Sequence, residues 1–273
     1  MIQKLFTVSI LAFVTAAFAQ SEPPTVTEQS IKDDLARVVC KDKERGESVK
    51  QLFISKGAKP DDIVISGTKK VENIVVTKQG KTSEIVVIGA HYDKVPEGCG
   101  AIDNWTGIVV LANIYAAFSA VETEKTLVFA AFGREEEGLI GSREMVKGIA
   151  KENRPQYCSM VNLDSFGLQF PQVLSNTSNT KMTKFAKELA EEVKMPFSQA
   201  SLAGTADADS SPFLDAGIPA ITFHGLSSKW AEIIHSPSDK LEKVNARLVY
   251  VAFQFAALYV NRIDPKPCSL FRK

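Results

Sequence analysis

Histidine is scarce in this chain of 273 residues, which has three, and cysteine is nearly so, with four. No CxxC or CxH cluster occurs, so thiolate zinc modules of the finger and ribbon type are excluded. No excess charge of either sign exists, since 32 Lys and Arg face 32 Asp and Glu, and no basic stripe is found. That argues against nucleic acid as a partner. Internal repeats and low-complexity tracts are also missing, which excludes solenoids. No linker-like stretch divides the chain, and 45% of its residues are apolar. One large domain over residues 20–273 is therefore expected, with a core to match.

Long apolar runs are absent except at the start. There, MIQKLFTVSILAFVTAAFAQ places Lys4 before an apolar run from Leu5 to Phe18 and small residues at Ala17 and Ala19. The run is shorter than the roughly 20 apolar residues a membrane span needs. Residues 1–19 are read as a secretory signal cut after Ala19, with a soluble monomer outside the cytoplasm, secreted or periplasmic. In that compartment Cys40, Cys99, Cys158 and Cys268 can form two disulfides, by any of three pairings. Cys158 at a strand start and Cys268 beyond the last helix favour a bond between those two.

Periodicity predicts helical pieces around Ile31 to Val39 and Ser48 to Lys56, then strands at Ile63–Ile65, Asn73–Thr77 and Glu84–Gly89. The turn-like KQGKT suggests that the last two strands form a hairpin. Buried-strand runs at Leu127–Phe132, Met160–Leu163 and Ala220–Phe223 then alternate with helical patterns at Thr106–Val121, Ser142–Lys151, Thr180–Val193 and Asn245–Val260. Such alternation predicts an α/β fold with a largely parallel sheet covered by helices on both faces. In open sheets of this kind, functional groups collect beyond the carboxyl ends of the strands.

Chemistry-bearing residues fall at those ends. His91 follows IVVIGA, Glu135 and Glu136 follow TLVFAAFGR, Asp164 follows VNL, and Asp103 and His235 lie in GAIDN and IIHSPSD. Imidazoles and carboxylates together are zinc donors, and a carboxylate next to a ligand suits hydrolysis. Three carboxylates and one hydroxide would offset two divalent ions, leaving both imidazoles neutral. Taken singly, each residue has a plainer role. A lone His is usually a satisfied core or surface group, Glu135 to Glu137 could be a solvated helix start, and Asp103 and Asn104 could cap the helix near Thr106.

The ordered set HYD, GAIDNWTG, FGREEEGLIGS, NLD, SSPFLDAGIPA (directly after Asp209) and HSPSD resembles the co-catalytic zinc aminopeptidase family, with Asp103 twelve residues after His91. That family includes secreted bacterial aminopeptidases, glutamate carboxypeptidases and glutaminyl cyclases. The resemblance runs from about Ile85 to Asp239 and implies a three-layer α/β/α sandwich with a mixed, mostly parallel sheet. It implies two zinc ions, for which cobalt or manganese can substitute. One would be held by His91, Asp103 and Asp164, the other by Asp103, Glu136 and His235, with Asp103 bridging. Glu135 would be the general base in removing N-terminal residues from peptides with a free amine. Asp93 matches a carboxylate that orients His91. Asp239 either does the same for His235 or caps the following helix.

Several positions depart from the family pattern. Trp105 stands where a small residue is usual and is either an aromatic wall for a substrate side chain or core packing. Ser210 replaces a frequent His, Asp209 beside it is retained as a candidate substrate contact, and Ile234 replaces a frequent Tyr. Asp207 stands where some relatives carry Arg and could grip a substrate ammonium. His224 is a further candidate for the pocket wall. A one-zinc glutaminyl cyclase is a rival reading, against which stand Asn104 and Ile234. A carboxypeptidase would need cations such as Arg134 and Arg143, and a binding protein without catalysis would leave the donor set unused.

Overall fold

The computed structural model describes residues 25–68, 71–204 and 206–272. The expected leader, residues 1–19, lies outside them. Strands β1 (Ile63–Thr68), β2 (Val71–Lys78), β3 (Ile85–His91), β4 (Thr126–Phe132), β5 (Tyr157–Asp164), β6 (Gln172–Leu174), β7 (Gln199–Ala200) and β8 (Ala220–His224) form one sheet of order β1-β2-β4-β3-β5-β8-β6-β7. The central strands β4, β3, β5 and β8 run parallel, β1 and β2 pair antiparallel with their neighbours, and β6 is antiparallel to β8 but parallel to β7. The sheet is thus mixed and mostly parallel at its centre, as expected.

Helices cover both faces. Helices α1 (Glu28–Leu35), α2 (Asp42–Ser55), α3 (Thr106–Phe118), α5 (Thr180–Glu192) and α7 (Ala246–Ile263) share a core with Val86, Ile88 and Ala90 of β3. The alternate residue Val87 points the other way, toward Val146 of α4 (Ile140–Lys147) and Phe213 of α6 (Ser211–Asp215). A strand sandwiched in this manner has no polar face, which is why IVVIGA reads as a continuous apolar run. Helix α3 is apolar all round for the same reason. The stretch Ala101–Phe118 has the length and hydropathy of a membrane span, yet 94% of it is buried inside the protein.

Two expectations are corrected. The hairpin is made by β1 and β2, while β4 lies between β2 and β3. The segment after β2 does not turn back on it: the amides of Lys81 and Thr82 donate to the carbonyls of Thr123 and Glu124, laying the chain beside the start of β4. Helix α3 ends at Phe118, short of Val121, and α4 begins at Ile140. Strands β6 and β7, of three and two residues, are too short to produce any periodic signal.

Both disulfides form, Cys40–Cys99 and the expected Cys158–Cys268. The second closes a loop of sequence separation 110 and joins the start of β5, the end opposite Asp164, to the turn after α7. Replacing Cys158 and Cys268 together by Ser is expected to cost about 2–4 kcal/mol of stability and leave zinc uptake unchanged. Denaturant unfolding beside a metal titration checks this. A loss of zinc uptake with stability intact would contradict it.

Candidate metal centre

The carboxyl ends of the strands converge on the cluster. His91 is the last residue of β3, Asp164 the last of β5, Glu135 and Glu136 follow β4, Asp103 precedes α3, and His235 lies in the loop after β8. His91 Nε2 lies 3.2 Å from Asp103 Oδ1 and 3.6 Å from Asp164 Oδ1. His235 Nε2 lies 3.1 Å from Asp103 Oδ2 and 3.0 Å from Glu136 Oε2. Two three-residue groups, His91 with Asp103 and Asp164 and Asp103 with Glu136 and His235, each have their donor atoms within 4.8 Å of one another, as does a third made of His91, Glu135 and Glu136. Asp103 belongs to the first two and presents a different oxygen to each.

Backbone hydrogen bonds hold these groups. Asp239 accepts from the amides of Ile102 at 2.7 Å and Asp103 at 3.2 Å. It therefore fixes Asp103, which corrects the two expected roles of orienting His235 or capping a helix. Asp93 accepts from the amides of Glu135 at 2.9 Å and Glu136 at 3.1 Å. Its Oδ1 is 3.6 Å from His91 Nδ1, beyond hydrogen-bond range, so its hydrogen bonds go to the glutamate loop more than to the imidazole. Asn104 Oδ1 accepts from the amides of Gly107 and Ser165, and its Nδ2 donates to the Leu163 carbonyl, tying the start of α3 to the end of β5. A Cβ at Gly107 would lie 2.4 Å from the Leu163 carbonyl oxygen, so only glycine permits that approach. His235 and Ser165 adopt left-handed backbone, with φ of 56° and 59°, conformations that L side chains rarely occupy.

Electrostatically the cluster is short of positive charge. Burial pushes the Glu135 carboxyl well above its usual range, and Asp209, Asp164 and Asp103 push it further against the opposing pull of His91. Glu136 is raised chiefly by burial, and the buried Asp209 reaches about 7 for the same reason. Hydrogen bonds to Asp103 and Glu136 raise His235 to about 10. His91 is held well above normal despite its burial, by Glu135, Asp103, Asp164 and Asp93. Glu136 Oε1 is buried with no hydrogen-bond partner among the described residues. Buried carboxylates in this number need divalent cations or protons to neutralise them, and the donor set of imidazole nitrogen and carboxylate oxygen fits zinc.

A cavity of about 300 Å³ opens over the cluster. Leu174, Leu202, Leu226, Trp230 and Ile234 form its apolar wall, while Asp207 and His224 join the lining. The Asp207 carboxylate is exposed and accepts from the Ser211 hydroxyl and the Ala208 amide. His224 Nδ1 accepts from the Leu226 amide at 3.3 Å, and burial lowers its pKa to about 4, so the ring is neutral at pH 7.

Two expected substrate contacts are not in this cavity. Trp105 is fully buried beneath the site, its Nε1 donating to the Asp34 carbonyl at 3.2 Å, because α1 covers it. Core packing, the other reading, is the one observed. Asp209 is fully buried behind the cluster and reaches no lining position. Beside it, Ser210 is committed to the Thr177 carbonyl and the Thr222 hydroxyl. Sequence reasoning missed Arg45, whose signal, one basic residue in DKERGES, is indistinguishable from a solvated helix face.

An α/β/α sandwich with this donor set at the carboxyl edge of its sheet has the architecture of the zinc-dependent exopeptidases. Residues 73–260 match the model of peptidase family M28, and the chain belongs to that family. It is 30% identical over 190 residues to aminopeptidase YwaD of Bacillus subtilis, an alignment that covers 66% of this chain and 40% of that one. Among solved structures it is similar to BSAP, a zinc aminopeptidase from Bacillus subtilis, with 26% identity, TM-score 0.64 and coverage of 71% and 50% of the two chains. An Acidobacteriales bacterium glutaminyl cyclase shares the fold at TM-score 0.73 and 16% identity, covering 90% of this chain and 97% of that one. The chain spans 40 to 50% of the length of the first curated relatives it matches.

Proposed function

We propose that this chain is a metallo-aminopeptidase with a pair of zinc ions, acting outside the cytoplasm on peptides with a free N-terminus. The observation that carries the reading is the division of Asp103, one carboxylate oxygen facing His91 and the other facing His235. His91 and Asp164 would complete one ion's ligands, Glu136 and His235 the other's. Paired zinc ions supply Lewis acidity, polarising a carbonyl and making a water acidic at neutral pH. Glu135 lines the cavity beside ligand Glu136 and would act as general base. Its carboxylate would take a proton from the attacking water and deliver one to the leaving amine. The apolar wall would receive the first side chain of the peptide, and Asp207 would draw the substrate ammonium toward the mouth. His224, neutral and in the wall, would line the same subsite. Two disulfides support an oxidising compartment.

The test is product mass after incubation with aminoacyl-nitroanilides, N-blocked peptides and N-terminal Gln peptides, with and without chelator. Stepwise loss of N-terminal residues, blocked by N-acylation and by chelator, is expected. Loss of ammonia from Gln peptides without cleavage, the mass change on forming pyroglutamate, would mark a cyclase and overturn the reading.

Zinc loading should release protons. In protein prepared free of metal, His91 and His235 carry protons at pH 7, since both pKa values are raised, His235 to about 10. Ligation requires neutral imidazole, so zinc must displace those protons, and apparent affinity should rise as pH climbs toward 10. Calorimetry in buffers of different ionisation enthalpy is expected to give at least about one proton released per imidazole. Proton-neutral binding would contradict the assignment of the two ligands.

A further inference from the structure

Arg45, in α2, is fully buried, yet no carboxylate forms an ion pair with it among the described residues. Its guanidinium is spent on main-chain carbonyls. Nη1 donates to Val39 at 3.1 Å and Cys99 at 3.0 Å, Nη2 to Gly100 at 3.1 Å, and Nε to Tyr92. Tyr92 and Gly100 bracket the segment that joins His91 to Asp103. The same guanidinium lies over the Trp105 ring at 5.6 Å, and the Trp105 amide shares the Gly100 carbonyl at 3.1 Å.

Three features make this more than core packing. The clamped segment has no regular secondary structure between β3 and the turn at residues 101–105, so its path depends on such bonds. Gly100 turns there with φ of 61°, and a Cβ on it would come within 2.8 Å of the Asp103 carbonyl oxygen. Finally, Asp42 of its own helix acts on Arg45 most strongly among the acids, followed by Asp93, Asp239 and Asp103, so the cation also lies among the acids that hold the site. Burial lowers its pKa to about 10, which leaves it charged at pH 7.

Resting on the metal reading above, we infer that Arg45 is a positioning residue for the bridged metal pair, fixing the spacing between His91 and Asp103 by clamping Tyr92, Cys99 and Gly100. A planar fork with five donors can serve carbonyls spread over that arc, whereas a lysine ammonium offers three donors from one point. Arg45 touches neither substrate nor ion. Its effect should therefore appear in how tightly the site holds zinc.

The experiment measures zinc affinity by competition with a chromophoric chelator for the wild-type chain, R45K and R45Q, with folding followed by circular dichroism. Folded R45K is expected to bind zinc about 10- to 100-fold more weakly. At saturating zinc its kcat should return to within a few-fold of wild type, with KM unchanged. Folded variants that hold zinc like the wild type would overturn the inference, as would a kcat that zinc does not rescue.

If neither variant folds, nitrogen-15 spectra of arginine-labelled wild-type protein decide. Coupling between clamp and ions must be reciprocal, so zinc should slow hydrogen exchange at Arg45 Nε about 10-fold or more. Unchanged exchange on zinc loading would overturn the inference. Wild-type protein that takes up no zinc would instead fail the metal reading itself. One that binds zinc and hydrolyses no peptide would fail the aminopeptidase reading and leave the clamp standing.

Discussion

Glu135→Gln is expected to lower kcat on N-terminal substrates by about 10²- to 10⁴-fold while the protein still takes up the zinc of the parent. That loss corresponds to roughly 3–5 kcal/mol of transition-state stabilisation. The substitution keeps the shape of the side chain and leaves the main chain of residues 135 and 136 in the grip of Asp93. What it removes is an atom able to accept a proton. Glu135 is well suited to that task because burial, reinforced by Asp209, Asp164 and Asp103, raises its pKa well above the ordinary carboxyl range. Divalent cations beside it would pull the pKa back down, leaving the carboxylate ionised and near the working pH. Steady-state rates at saturating zinc check the role. A Glu135→Gln enzyme running at the wild-type rate would remove Glu135 from the mechanism.

Asp103→Asn should disable both halves of the centre at once. Each donor group uses one Asp103 oxygen, so a single amide both removes a charge and replaces one oxygen donor with an NH₂ that cannot ligate. Of the two groups that share Asp103, Glu136 belongs to the one with His235, so Glu136→Gln should weaken that ion more than the other. For Asp103→Asn, activity on the order of 10³-fold below wild type or lower is expected, since Lewis-acid stabilisation worth several kcal/mol goes with the ions. Metal analysis after dialysis should find far less zinc than in Glu136→Gln. Equal zinc content in the two variants would contradict the bridge.

The disulfide nearest the centre offers a milder perturbation. Cys99 is bonded to Cys40, donates its amide to the Asp239 carbonyl at 2.7 Å, and gives its own carbonyl to Arg45. Cys40→Ser with Cys99→Ser is expected to weaken zinc binding by about 10-fold, the low end of the range for outer contacts to a metal site. The pair Cys158→Ser and Cys268→Ser, distant from the ligands, should not.

Why some of this was legible and some was not follows from how each residue signals. His91 and Asp164 stand out because each ends a β-like apolar run, and Glu136 because it follows one closely, since parallel strands covered on both faces must be apolar until their ends. Asp103 and His235 sit in loops, where only the motif around them distinguishes a ligand from a helix cap. Trp105 could not be assigned from its neighbours, because α1, about seventy residues earlier in the chain, is what covers it. Asp239 likewise takes its role from amides more than a hundred residues away. Arg45 looks like any charged residue of a polar helix, and its burial exists only after β3, α2 and α3 have packed. The β2 to β3 connection was misread because a turn-like sequence marks where the chain bends without saying which strand it meets next.

Anomalous scattering at the zinc edge from crystals of the zinc-loaded chain tests the central claim most directly. Two peaks about 3.5–4 Å apart, one against each Asp103 oxygen and flanked by His91 and His235 respectively, are expected. A single peak touching both imidazoles, or no peak at Asp103, would contradict the account.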